Sequence, residues 1–193
     1  MGICAIRWGR SFYPSYLNRS LATTVLISSI SILLPPPHPA RAQENPTPYC
    51  QQLPAAIEQK EALRAAAMQG NVKAQQQYGG LVAQHAAWLR RCRQQVWPQT
   101  QALWIRLYHC DARPWALDGV LDRIVNRGYN QINVEVFYNG RVLLPANQNP
   151  TAWRSVMAGS GADNVDLLAQ VIRNGRERGV AVQAWLFSMN VGA

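Results

Sequence analysis

From residue 102 to residue 187 the chain alternates between short apolar or β-branched runs and stretches of helical periodicity, and this alternation restricts the fold more than any other feature. Residues 102–108 form a short apolar run of strand type. Leu117, Val120, Leu121, Ile124 and Val125 then recur at helical spacing, and Gly128 ends that helix. Residues 132–137 are β-branched and alternating, a second strand, and Asn139-Gly140 is a strong hairpin-turn signal with a brief return through Val142, Leu143, Leu144 and Pro145. Asp163 stands ready to cap a further helix that buries Val165, Leu168, Val171 and Ile172 and closes at Gly175 or Gly179. The apolar run over residues 180–187 predicts a third strand buried on both faces. Strands joined through crossover helices pair in parallel, so the class is α/β.

The first forty-two residues read as a secretory signal. Arg7, Arg10 and Arg19, with no acid among them, precede an apolar run over residues 21–34; Pro35, Pro36 and Pro37 break it, and Ala40-Arg41-Ala42 supplies small residues for cleavage after Ala42. The run is shorter than the roughly 20 residues of a membrane span and carries Thr23, Thr24, Ser28, Ser29 and Ser31. Export to a periplasmic or extracellular space is expected, with no stable membrane span after cleavage. The full chain has a formal charge of +9; four of its nineteen basic residues and none of its ten acids lie in the leader, so fifteen against ten leaves +5. Nucleic-acid binders concentrate Lys and Arg on one face. Only Arg90, Arg91 and Arg93 cluster here, which argues for a solvated basic helix end and against nucleic acid, and leaves room for attraction to an anionic wall polymer.

Residues 43–98 predict an α-helical hairpin broken at Gly70-Asn71, with Pro54 in a first turn. Tyr78, Leu81, Val82, His85, Trp88, Leu89 and Cys92 lie on one stripe of its second helix. An antiparallel hairpin returns Cys92 to the start of the first helix, where Cys50 sits, so a Cys50–Cys92 disulfide is expected. With Cys4 removed in the leader, Cys110 is left as the odd thiol. No Cys or His pair has the spacing of a zinc knuckle, so no metal or other cofactor is implied, and His85 reads as a packed residue. Trp97-Pro98 marks the boundary to the α/β part, residues 99–193.

Two segments of that part carry a resemblance. Arg-Gly-Tyr-Asn-Gln-Ile-Asn-Val-Glu-Val-Phe-Tyr-Asn-Gly-Arg-Val-Leu-Leu-Pro, residues 127–145, and Arg-Gly-Val-Ala-Val-Gln-Ala-Trp-Leu, residues 178–186, are similar to the start of the family-10-like glycosyl hydrolases. Glu135, Gly140, Leu144, Pro145 and Ala184-Trp185 match places in that family's pattern; Phe137 stands where the family carries an arginine, a contact that Arg106 or Arg141 could supply. The resemblance implies an exported TIM-barrel scaffold acting on O-glycosidic bonds of a cell-wall glycan such as peptidoglycan strands. On this reading the chain holds the first three β/α units of a (β/α)8 barrel, preceded by the hairpin and the signal peptide. Three strands cannot close such a barrel.

The chemistry is constrained by carboxylates. Glycoside hydrolysis ordinarily needs two carboxyl groups flanking the bond, and the strand ends offer only Asp111 and Glu135. Glu135 has a second role open to it, an ion pair with Arg106 on the neighbouring strand. The catalytic residues are therefore left unassigned, and a non-catalytic wall or glycan-binding fragment is the alternative. The residues expected at a glycan are Arg106, Glu135, Tyr138, Asn139 and Trp185, the aromatic ones by stacking on sugar rings.

Overall fold

In the computed structural model, residues 49–186 are described; the expected signal segment and residues 187–193 lie outside them. Helices α1 (Pro54–Met68) and α2 (Val72–Arg93) form the hairpin. Pro54 opens α1, where its missing N–H is no loss, and the Asn71 side chain accepts from the Ala74 N–H at 3.0 Å to cap α2. Strand β1 (Ala102–Ile105), helix α3 (Ala116–Asn126), strand β2 (Gln131–Glu135), the short strands β3 (Phe137–Tyr138), β4 (Arg141–Val142) and β5 (Arg154–Ser155), helix α4 (Leu167–Glu177) and strand β6 (Ala181–Trp185) follow. The chain is thus a mixed α/β protein: β2 lies between β1 and β6, all parallel, and no closed barrel forms among the described residues.

One sheet face carries Leu103 and Ile105, Ile132 and Val134, and Val182, and it packs on α3 and α4 through Leu121, Ile124, Val125, Leu167 and Val171. Among the described residues the other face has no helix over it. Ala181 and Gln183 are exposed there, which corrects the expectation that the third strand is buried on both faces: its apolar run covers a single layer. Asn139 and Gly140, with φ of 51° and 66°, make the tight turn between β3 and β4. Strand β5 pairs parallel with β4 and has no counterpart in the sequence reading. The cap of α4 also differs. Asp166, not Asp163, accepts from a helical N–H (Ala169, 2.8 Å), because Asp163 closes the preceding loop by accepting from Gly159 at 2.7 Å. That shift leaves Ile172 exposed and puts Leu167, Val171 and Gly175 on the buried side.

The hairpin is tied to this layer at both ends. Cys50 and Cys92 form the expected disulfide, with Cα atoms 5.9 Å apart. The Cys50 carbonyl sits so close to Gly128 (φ 90°) that an added Cβ would run into it, so this position needs glycine twice over. Cys110 is disulfide-bonded and not the free thiol expected. On the α2 stripe Tyr78, Leu81, Val82, His85 and Leu89 are buried as expected, while Trp88 stays 40 % exposed.

Between hairpin and α/β layer lies a buried charge cluster. Asp122 on α3 receives Tyr78 Oη at 2.8 Å, Arg178 Nε at 3.1 Å and Arg64 Nη1 at 3.2 Å, with Lys60 Nζ at 3.6 Å. Arg178 reaches on to Asp118 at 2.8 Å, and Lys60 donates to Asn126 Oδ1 at 2.5 Å. Desolvation takes the Lys60 ammonium below the ordinary lysine value of 10.5, with Asp122 opposing it. The unfolded chain therefore binds more protons than the folded one between that depressed value and 10.5, and stability rises with pH across this alkaline window. In Lys60→Met that rise is expected to disappear in urea melts at a series of alkaline pH values; an unchanged slope would show that another group titrates.

Candidate functional site

The uncovered sheet face is laid out in rows by the strand register. Trp104 is opposite Asn133, and Asn133 opposite Gln183; Glu135, the last residue of β2, is opposite Trp185, the last of β6. Arg106, two residues beyond Trp104, completes the upper row beside Glu135. Side chains two apart on a strand share a face. Arg106, Glu135 and Trp185 therefore stand together at the carboxyl ends of three parallel strands, the place where open α/β sheets hold ligands, with Trp104 and Asn133 directly below.

Arg106 Nε donates to Glu135 Oε2 at 2.7 Å, so the ion pair anticipated from the sequence forms. The hydrogen bond with Glu135 raises the Arg106 guanidinium above its ordinary value and keeps it a cation. The guanidinium also lies over the Tyr138 ring, 4.6 Å from its centroid. Tyr138 is buried, its hydroxyl donates to the Leu107 carbonyl, and Tyr108 meets it edge to face. Burial pushes the Tyr138 hydroxyl up, so it is a neutral donor. Tyr138 thus supports Arg106 and offers no open ring for stacking. Asn139 is exposed in the β3–β4 turn. Asp111 accepts from the Tyr108 N–H at 2.8 Å, a turn-capping role that fixes the segment after β1.

The aromatic surface lies one step lower. Trp104 is 60 % exposed and meets Trp185 edge to face at 5.7 Å, spanning the middle strand. Asn133 beneath them is 4 % exposed, and its Oδ1 has no hydrogen-bond partner among the described residues. Trp104 was not singled out from the sequence; its position in strand register with Glu135 and Trp185, two residues ahead of Arg106, was the available signal. Trp153, also exposed, meets Phe137 edge to face at 5.1 Å.

No cluster of three or more His, Cys, Asp or Glu among the described residues is arranged for a metal ion, and no described helix is long and apolar enough to cross a membrane. No family model, no curated protein and no solved structure matches this chain.

Proposed function

We propose that the chain is an exported, glycosyl hydrolase-like protein whose strand-end site binds a cell-wall-type glycan, and that binding, not turnover, is what these residues do. The observation that carries the reading is the Trp104–Trp185 pair beside the Arg106–Glu135 ion pair. Sugars present apolar C–H faces and rings of hydroxyls. An exposed indole suits the first, and a charged pair that both donates and accepts suits the second. The resemblance of residues 127–145 and 178–186 to family-10-like glycosyl hydrolases supports the same ligand class, and the three β/α units are then the opening of a (β/α)8 scaffold with the site at the carboxyl ends of its strands. The Cys50–Cys92 disulfide is consistent with an oxidising compartment.

Hydrolysis is the second reading, and Glu135 would be its carboxylate. It requires a partner carboxyl about 5–9.5 Å away across the bond, whereas Asp111 is engaged with the Tyr108 backbone. Calorimetric titration with peptide-free peptidoglycan strands and chitin oligomers tests both. Trp104→Ala is expected to weaken binding about three- to tenfold, the scale of one aromatic contact, and no new reducing ends should appear. Turnover by the wild type that is lost in Glu135→Gln would overturn the non-catalytic reading; binding indifferent to Trp104→Ala would overturn the site.

A further inference from the structure

The opposite end of the sheet carries a cleft that the glycan reading leaves unused. It measures about 290 Å³ and is lined by Arg90 and Arg93 at the end of α2, Gln94, the Gln99-Thr100 approach to β1, Asn130 before β2 and Gly179 before β6. Its lining contains no carboxylate. Arg90 and Arg93, three apart on a helix, are neighbours on one face, a like-charge arrangement that destabilises slightly in isolation. Neither makes an ion pair among the described residues; Arg93 Nη2 donates to the Gly128 carbonyl at 3.1 Å. Asn130 is committed to the loop, donating to the Gln99 carbonyl and accepting from the Gln101 N–H, which holds the cleft wall rigid.

We propose that this cleft is an oxyanion site for a phosphate group, either free or as the phosphodiester of an anionic polymer. Two guanidiniums with hydroxyl and amide neighbours form a set dominated by donors, matched to a tetrahedral anion that only accepts, and arginine forks bind such oxygens in pairs. The dipole of α2 explains basic residues in its last turn. Arg93 is held half-buried in the cleft wall by the Gly128 carbonyl, and burial lowers its pKa with no acid opposing it, a cost that a bound anion would offset. The volume approaches that of small-ligand pockets, leaving room for a phosphate and an attached polyol unit.

The test is a titration of the whole protein at constant ionic strength with sodium phosphate, with a short glycerol-phosphate oligomer and with sodium chloride, followed by the backbone amide signals of Gln94, Thr100, Asn130 and Gly179. Saturable shifts with phosphate or oligomer, and none with chloride, are expected. Tighter binding of the oligomer identifies the polymer as the source, and equal binding identifies the free ion. Arg90→Gln, an exposed position whose replacement leaves the core intact, and Arg93→Gln should each weaken binding about tenfold, the worth of one charge-assisted contact; Arg91→Gln, outside the cleft, should not. A chloride response equal to that of phosphate, the absence of saturation, or equal losses in all three variants would each overturn the site.

Discussion

Asp122→Asn is expected to destabilise the protein by roughly 3–5 kcal/mol, the usual consequence of removing one partner from a buried ion pair. The side chain is 1 % exposed, and the cations around it are nearly as enclosed: Lys60 at 1 %, Arg178 at 2 % and Arg64 at 19 %. Asn keeps the shape and some hydrogen-bonding capacity, so the loss is electrostatic. Asp118 at 2.8 Å and the exposed Glu177 at 3.9 Å, both paired with Arg178, would be the carboxylates left near three cations. Since α1 supplies Lys60 and Arg64, α2 supplies Tyr78 and the end of α4 supplies Arg178, the hairpin should loosen from α3 before the sheet unfolds. Urea unfolding followed by far-ultraviolet circular dichroism checks this. Adding Lys60→Met to Asp122→Asn should restore part of the loss, because it removes one uncompensated charge. A loss under about 1 kcal/mol would mean that water reaches the cluster and screens it.

This cluster was hidden from the sequence for a physical reason. Leu117, Val120, Leu121, Ile124 and Val125 already give α3 one apolar stripe, and the opposite side, with Asp118 and Asp122 one turn apart, has the form of a solvated face. The hairpin covers that side, and nothing in the spacing announces a second layer. Lys60 and Arg178 were equally silent, since buried basic residues are rare enough that solvent is the default expectation. Features whose signal is local were legible: the Asn139-Gly140 turn, the helical periodicity of α2 and α3, and the Cys50–Cys92 pair that the hairpin geometry brings together. At the site, Arg106 and Glu135 were readable as a cross-strand pair. Trp104 did not stand out because an apolar run does not show which residues face the helices, and an aromatic beside a turn does not reveal that the Tyr138 hydroxyl is tied inward to Leu107.

Replacing Cys50 and Cys92 together by alanine is expected to lower stability by about 4 kcal/mol, the chain-entropy value for a closed loop of this length. The bridge joins residues 42 apart, and in its absence the unfolded chain regains the freedom of that whole hairpin. Two signatures separate this cause from simple loss of packing. The denaturant midpoint should fall while the dependence on denaturant steepens, because an uncrosslinked unfolded chain exposes more surface. The native structure should also loosen where the Cys50 segment is held, since Gln52 N–H reaches the Asn126 carbonyl at a long 3.4 Å and Gln52 Nε2 the His85 carbonyl at 3.3 Å, bonds too weak to fix the segment unaided. Faster amide exchange at Gln52 with unchanged exchange in β2 would show a local release. A midpoint shift equivalent to less than about 1 kcal/mol would place the stabilisation in the folded contacts around Gly128 instead of in the constraint on the unfolded chain.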